Sequence, residues 1–266
     1  MRPILSAVAV VAVAVVVATA ASPTAHATPQ RIAAADAYLA TRPGVVGYVL
    51  RDRQTGTAFR NAHAGDMIWS ASTIKLGIAV DLLVRRRARE FVLSDGDWAN
   101  MKTMLRDSDN DAADALWEKY GGPDHWTFNH DFPRYGMTST VPQPGFGKIF
   151  PTWRFEKTTA DDLDQVMNYA LTQLDPADTK YLVTNLQQVS PNQHWGVWGA
   201  GPQMTPGNKD GWSLEQGGWV INTVGFAGPG QRYTLAAMNA LGSQGGEDDG
   251  EATVTRLSAI LLGPQQ

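Results

Sequence analysis

Apolar residues along the chain follow two different patterns, one near the ends of the folded part and one in its middle. Residues 45–50 form an apolar run rich in valine, and residues 219–226 and 233–239 repeat this character near the C-terminal end. Short apolar runs bounded by glycine, proline and other turn residues are typical of β-strands. We therefore predict strands at 45–50, 57–60, 208–209, 219–226 and 233–239.

The middle of the chain has helical spacing instead. Thr158 and Thr159 precede Asp161 and Asp162, and acidic residues in a first turn interact favourably with the helix dipole, so a helix is expected to start there. The same criteria predict helices at 29–39, 72–89, 97–106, 110–120, 159–174, 176–188 and 251–262. If the terminal strands pair in one sheet with the helical middle inserted between them, the result is a two-lobed α/β protein with a cleft.

The first 27 residues have the character of an export signal. Arg2 is followed by an apolar stretch at 4–21 and by the small-residue sequence Ala25-His26-Ala27. This pattern predicts a signal peptide at 1–27, cleaved after Ala27, and an uncleaved membrane anchor is the alternative. We thus expect a protein that is secreted or located in the cell envelope, without stable membrane insertion after cleavage.

Composition excludes several kinds of chemistry. The chain has 266 residues, a formal net charge of -4 and no cysteine. Mild acidity argues against nucleic acid as a partner, and the lack of cysteine rules out disulfides, a thiol nucleophile and a lipid-attachment cysteine. No His-Glu-x-x-His or Gly-x-Ser-x-Gly motif occurs, so we expect no metal site, no cofactor and no α/β-hydrolase triad. We also expect a monomer.

Ser72 and Lys75 form the first candidate site. Lys75 lies in the apolar stretch "IKLGIAVDLLV", where an unpaired ammonium group is costly to bury. On a helix the two residues share one face, and a desolvated lysine with a lowered pKa can take the proton of a nearby serine hydroxyl. The structural alternatives are a helix N-cap for Ser72 and a lysine that extends to the surface for Lys75.

Two further short motifs carry polar groups. Ser108-Asp109-Asn110 lies between two helical patterns, and Lys209-Asp210-Gly211 comes just before Trp212. Either motif has a structural alternative, because serine, aspartate and asparagine cap helices and an Asp-Gly pair suits a β-turn.

Taken in this order, the three motifs resemble the Ser-x-x-Lys, Ser-Asp-Asn and Lys-Thr-Gly set of class A β-lactamases and penicillin-binding proteins. The resemblance extends over most of the mature chain and includes Gly121-Gly122-Pro123 and Thr158-Thr159. It implies a β-lactamase-like fold, an antiparallel sheet flanked by helices with an inserted all-helical lobe. In this interpretation residues 28–266 form one catalytic domain, with an α/β lobe at about 28–68 and 190–266 and a helical lobe at about 69–189.

The resemblance also implies a role for each motif residue. Ser72 would be the acylated nucleophile, Lys75 its base, and Ser108 the relay of the proton to the leaving group. The remaining residues would bind substrate. Asn110 would hold the substrate amide and Lys75, Lys209 would supply positive charge, Asp210 and Gly211 complete the third motif, and the N–H groups of Ser72 and Trp212 would form the oxyanion hole.

Three departures from the family pattern stand out. The segment between Ser72 and Ser108 is shorter than in typical class A enzymes. Asp210 replaces the threonine whose hydroxyl helps to hold the substrate carboxylate. The deacylating glutamate of class A enzymes has no counterpart between Pro142 and Phe155, and we interpret the nearest carboxylate, Glu156, as a surface charge at a helix entry.

These observations lead to one main hypothesis and two alternatives. The main hypothesis is an exported serine hydrolase or acyltransferase that forms an acyl-serine intermediate with a peptide-like, peptidoglycan-like or β-lactam-like substrate. The first alternative is an ester or amide hydrolase whose substrate lacks a carboxylate. The second is a non-catalytic binding protein of the cell envelope that retains the cleft.

Overall fold

The computed structural model describes residues 28–145, 152–215 and 217–264, so the predicted signal peptide lies outside the described residues. Within these ranges the strands are β1 (Val45–Asp52), β2 (Thr57–Arg60), β3 (Ile68–Trp69), β4 (Val141–Pro142), β5 (Glu156–Thr158), β6 (Gly207–Glu215), β7 (Gly218–Ala227) and β8 (Tyr233–Gly242). The α-helices of the same ranges are α1 (Pro29–Leu39), α2 (Ile74–Arg87), α3 (Asp95–Arg106), α4 (Asn110–Tyr120), α5 (Thr127–Asp131), α6 (Ala160–Thr172), α7 (Pro176–Leu186) and α8 (Glu247–Leu262).

The two ends of the folded chain meet in one antiparallel sheet. Its strand order is β2-β1-β8-β7-β6, and β1 lies against β8 with Val49 opposite Ala236. Strands β6, β7 and β8 follow one another along the chain and pair as hairpin neighbours. This pairing confirms the expected sheet, and it leaves β6 as an edge strand.

Each face of this sheet is covered by helices, because both faces carry apolar side chains. On one face Leu50 and Leu235 pack in a cluster with Leu257 of α8. On the other face Val224 and Met238 join a larger cluster with residues of α2, α3, α4 and α6. Burial on both faces explains why β7 and β8 are almost continuously apolar instead of alternating.

Helix starts agree with the capping residues in the sequence. The Thr159 hydroxyl accepts a hydrogen bond from the backbone N–H of Asp162 at 3.0 Å, so α6 begins where the paired threonines predicted. At the start of α4, Asp109 Oδ1 accepts from the N–H of Ala112 at 2.7 Å. The capping role predicted as the structural alternative for the second motif therefore falls on Asp109.

A second, three-stranded sheet in the order β3-β5-β4 was not predicted. Its strands are two or three residues long, too short to show an apolar period. Helix α5 was missed as well, since five residues make little more than one turn. Within the part of the chain that the structure describes, no helix is long and apolar enough to cross a membrane.

Candidate active site

Ser72 lies in a single 3-10 turn, Ala71–Thr73, that leads into α2. Thr73 is the N-cap residue of α2 and makes no side-chain capping bond, so the N-cap interpretation of Ser72 is wrong. Ala71 has φ 45°, a left-handed conformation that costs a non-glycine residue about 1–3 kcal/mol and is common at functional sites. The Ser72 side chain is partly exposed, and among the described residues its hydroxyl has no hydrogen-bond partner.

Lys75 is fully buried, with 0% of its surface exposed, so the surface alternative is wrong for this residue. Its Nζ donates to the carbonyl oxygen of Ser108 at 2.6 Å and to Asn110 Oδ1 at 2.7 Å. Burial, together with the positive charges of Lys209 and Arg154, lowers the pKa of Lys75 to about 6. At neutral pH the amine is therefore mostly unprotonated.

The two partners of Lys75 also orient its amine. An amide or peptide oxygen only accepts hydrogen bonds, so Ser108 and Asn110 each engage one N–H. A neutral amine has two N–H groups and one lone pair. With both N–H groups engaged, the lone pair occupies the remaining tetrahedral position and is free to accept a proton.

Ser108 connects the two lysines of the site. It lies in the turn between α3 and α4 with φ 56°, a second left-handed non-glycine residue. Its carbonyl accepts from Lys75, and its hydroxyl accepts from Lys209 Nζ at 2.9 Å. The left-handed conformation thus lets one residue contact both amines.

Lys209 reaches the site from the edge strand β6. The third motif lies inside this strand, so the β-turn alternative is wrong. Lys209 Nζ also donates to the carbonyl oxygen of Asp210 at 2.8 Å and to Gln193 Oε1 at 3.4 Å. Complete burial lowers the pKa of Lys209, an effect that the neighbouring carboxyl of Asp210 opposes.

Gly211 permits the close approach of β6 to the serine turn. A Cβ atom at this position would lie 2.8 Å from the Ser72 nitrogen and 2.7 Å from the Thr73 nitrogen, closer than such atoms are found. Any other residue would push the strand and the turn apart. The backbone of Ser72 is therefore adjacent to β6 immediately before Trp212, which is itself partly exposed.

Asp210 points to the other side of the sheet. It pairs directly with Thr223, whereas Lys209 pairs with Val224, and successive side chains of a strand face opposite ways. The Thr223 hydroxyl accepts from the N–H of Val197 at 3.3 Å, which places Asp210 on the face that packs against α8. The carboxyl is fully buried, and burial raises its pKa well above the usual range against the weaker opposing effects of Thr223, Lys209 and Asn208.

Sequence reasoning missed Trp153, which lies against the buried lysine. Lys75 Nζ is 4.5 Å from the centre of the Trp153 ring, and the ring nitrogen donates to Asp114 Oδ1 at 2.8 Å. Asn222 was also missed, although its Nδ2 donates to the carbonyl oxygens of Trp69 and Ser70 at 2.8 and 3.2 Å. Both residues are distant from the motifs in sequence, so no local pattern indicated them.

The interpretation of Glu156 as a surface charge is wrong. Its side chain is buried, with 1% exposure. Its Oε1 accepts from Asn129 Nδ2 at 2.7 Å, while Oε2 has no hydrogen-bond partner within the described ranges. Burial raises the pKa of Glu156 to about 8, against the opposite effect of Asn129. The misassignment arose because its burial depends on the small sheet, which was not predicted.

The sequence was compared with those of known proteins. No protein-family model matches the sequence. Proteins named "Putative lipoprotein LppW" from Mycobacterium tuberculosis and Mycobacterium bovis are 28% identical over 244 residues, covering 87% of this chain and 73% of theirs.

Solved structures match over a similar length. The chain superimposes on a β-lactamase from Xanthomonas campestris with a TM-score of 0.72 at 18% identity, covering 88% of this chain and 96% of the other. A β-lactamase from Streptosporangium roseum gives 0.71 at 17% identity over 88% and 97%, and one from Burkholderia vietnamiensis gives 0.72 at 16% over 89% and 97%. These similarities confirm the β-lactamase fold, and at such low identity they bear on the fold alone.

Proposed function

We propose that this protein is an exported serine hydrolase or acyltransferase that forms an acyl intermediate on Ser72. The observation that carries the proposal is Lys75, a fully buried amine one helical turn after the serine, with both N–H groups engaged and a pKa lowered to about 6. Two carbonyl acceptors do not neutralise a buried charge, whereas they suit an amine that works as a base.

Lys75 and the backbone would share the work of acylation. Lys75 takes the proton from the Ser72 hydroxyl while Oγ attacks the acyl carbon of the substrate. Negative charge then develops on the acyl oxygen, and preorganised N–H donors at this position stabilise it. The N–H groups of Ser72 and Trp212 are the proposed donors, supported by the contact that Gly211 makes with the serine turn.

Ser108 completes the proton transfer. The leaving group must receive a proton when its bond to the acyl carbon breaks. Ser108 is the proposed relay because its hydroxyl accepts from Lys209 while its carbonyl holds Lys75. As Ser108 gives its hydroxyl proton to the leaving group, it takes up the proton that Lys75 removed from Ser72, so that Lys75 is neutral again when acylation is complete. Asn110 keeps the lysine in place and is proposed to bind the substrate amide as well.

The proposed substrate is peptide-like or β-lactam-like, with the cell envelope or the medium as the place of action. The predicted export signal at 1–27 and the lipoprotein name of the mycobacterial relatives support this location. Asp210 favours a second candidate, an ester or amide without a carboxylate. A fully buried carboxyl on the far side of β6 offers the substrate no hydroxyl donor at the position where the family pattern has threonine.

Intact-mass analysis after exposure to a fluorescent penicillin tests the proposal. We expect one adduct on the wild-type protein, none on Ser72→Ala, and a wild-type result for Ser139→Ala, a control at an exposed serine. An adduct formed only with a p-nitrophenyl ester would select the carboxylate-free substrate. No adduct with either probe would reject the acyl-serine proposal and favour the envelope-binding alternative.

A further inference from the structure

The indole of Trp153 closes one side of the Lys75 pocket. Trp153 is 4% exposed and lies in a 3-10 turn just before β5, and its ring faces Lys75 Nζ at 4.5 Å from the ring centre. Ser108 and Asn110 accept from Nζ on other sides. As a result no part of Lys75 is accessible to solvent.

Two contacts hold this indole in place, and a third interaction links the two residues that make them. Its ring nitrogen donates to Asp114 Oδ1 at 2.8 Å, and Arg154 donates to the other oxygen of the same carboxylate at 2.6 Å. The Arg154 guanidinium also lies 4.8 Å from the centre of the Trp153 ring. Asp114 and Arg154 are both partly exposed, at 44% and 40% of their side chains, so the clamp is assembled at the surface while the ring it holds is buried.

Hydrolysis of an acyl-Ser72 ester by this base needs a water molecule beside the Lys75 amine, which the ring covers on one side. The water oxygen attacks the acyl carbon, its proton passes to the Lys75 lone pair, and the amine returns that proton to Ser72 Oγ as the ester bond breaks. This requires a water in contact with both the ester and Nζ. A buried indole beside Nζ leaves the amine unreachable from bulk solvent.

We propose that Trp153, held by Asp114 and Arg154, is a positioning residue that keeps water from the Lys75 amine and thereby makes hydrolysis of the acyl-Ser72 ester slow. The slow hydrolysis rests on the proposed function, because it needs an acyl-Ser72 ester. The covering of the amine by Trp153 can be measured without any acylation. It assigns the segment between 152 and 155 a part in the lifetime of the intermediate.

A pulse-chase experiment measures that lifetime. The protein is acylated with fluorescent penicillin, excess probe is removed, and loss of the adduct is followed by intact mass. Because a positioned general base is worth about 10²–10⁴-fold, we expect Trp153→Ala to lose the adduct at least about tenfold faster than wild type. Trp153→Phe keeps a ring over the amine but loses the bond to Asp114, so its adduct should persist clearly longer than that of Trp153→Ala without fully reaching the wild-type lifetime. Asp161→Asn, a matched surface carboxylate paired with Arg60, should retain the wild-type lifetime.

Two results would overturn the proposal. One is a wild-type lifetime in folded Trp153→Ala, and the other is the same acceleration in Trp153→Phe as in Trp153→Ala. If Trp153→Ala fails to fold, Asp114→Asn takes its place, since that side chain is partly exposed and its change removes the ion pair that fixes the ring. Asp114→Asn should then shorten the lifetime several-fold, and an unchanged lifetime would reject the role of the clamp.

Reductive methylation separates this inference from the proposed function. Formaldehyde and cyanoborohydride modify accessible neutral amines, and peptide mapping reports each lysine. Lys75 should be protected in the wild type and labelled in Trp153→Ala, while Lys209, also fully buried, stays protected as an internal reference. If wild type forms no adduct but this pattern holds, the proposed function fails and the covering role stands. Equal labelling of Lys75 in both proteins rejects the covering role.

Discussion

The two ends of helix α2 bury charged side chains in opposite ways. At its C-terminal end Arg85 donates to Asp81 at 3.1 Å, to Glu90 at 2.9 Å and to the carbonyl oxygen of Tyr120 at 3.0 Å. Asp81 accepts in addition from the hydroxyl of Tyr135 at 2.8 Å. This end is a paired network in which the cation has two carboxylates.

At the N-terminal end Lys75 has no carboxylate among the hydrogen-bond partners that the described residues provide. Its bonds go to two neutral carbonyl oxygens, and the positive charges of Lys209 and Arg154 outweigh the more favourable influence of Asp109 and Asp114. Burial of the amine is therefore left largely uncompensated. One helix thus carries a structural ion network around Arg85 and, about three turns earlier, a basic group that is ready to take a proton.

Removing the amine of Lys75, at the N-terminal end of α2, should have the largest effect on activity. Lys75→Met replaces the amine by an apolar group of similar size in an apolar environment, so folding should persist and stability should stay equal or increase. Loss of the general base should slow acylation by about 10²–10⁴-fold. Adduct formation by intact mass and urea unfolding measure the two effects, and an unfolded variant whose folded fraction still acylates would make Lys75 structural.

Removing the guanidinium of Arg85, at the C-terminal end of α2, should instead lower stability and leave acylation unchanged. Arg85→Met leaves Asp81 buried without its cation and with the Tyr135 hydroxyl as its remaining donor, and breaking a buried ion pair costs about 3–5 kcal/mol. The folded fraction should still acylate at the wild-type rate, because Arg85 does not contact the proposed site. A variant as stable as wild type in urea, or one that folds but fails to acylate, would erase the contrast between the two ends.

The pH dependence sharpens the comparison. Only the neutral amine accepts a proton, so acylation should rise as pH increases through about 6 and level off above it. At one unit below that pKa the rate should be about tenfold lower. Acylation rates between pH 5 and 8 provide the test, and a flat profile would mean that Lys75 is not the titrating base.

Stability should follow the same titration with a definite sign. The folded pKa of Lys75 is lowered from 10.5 to about 6, so between these values the unfolded chain binds more protons and stability rises with pH. Lys75→Met should remove this rise. An unchanged pH dependence of urea unfolding in the variant would show that the amine is not desolvated.

Glu156 is a buried carboxyl that belongs to neither end of α2, and its substitution should have the smallest effect. Its folded pKa is raised from 4.5 to about 8, so between these values the folded protein binds more protons and stability falls as pH rises. Glu156→Gln should therefore stabilise the protein at pH 8 by about 1–3 kcal/mol relative to pH 5. Glu118→Gln, at a side chain that is 77% exposed, is the control and should show no such difference in urea unfolding.

The sequence alone determined most of the elements and the identity of the motif residues. The strands at 219–226 and 233–239 and the start of α6 follow from local periodicity and capping, which neighbouring residues set by themselves. The unusual position of Lys75 was also visible in the sequence, because its neighbours in the predicted helix are almost all apolar. These features need no contact between distant parts of the chain.

Tertiary structure decided what surrounds each motif residue. Lys75 contacts the carbonyl of Ser108, Trp153 covers Lys75, and Glu156 is buried. Each of these features depends on segments that are separated by tens of residues in the sequence. Desolvation and the resulting pKa shifts are properties of the neighbours that a side chain meets in space. A residue's own sequence neighbours do not specify desolvation or pKa shifts. The motifs therefore indicated which groups react, and only the packing of the helices against β6 determined the chemical environment of those groups.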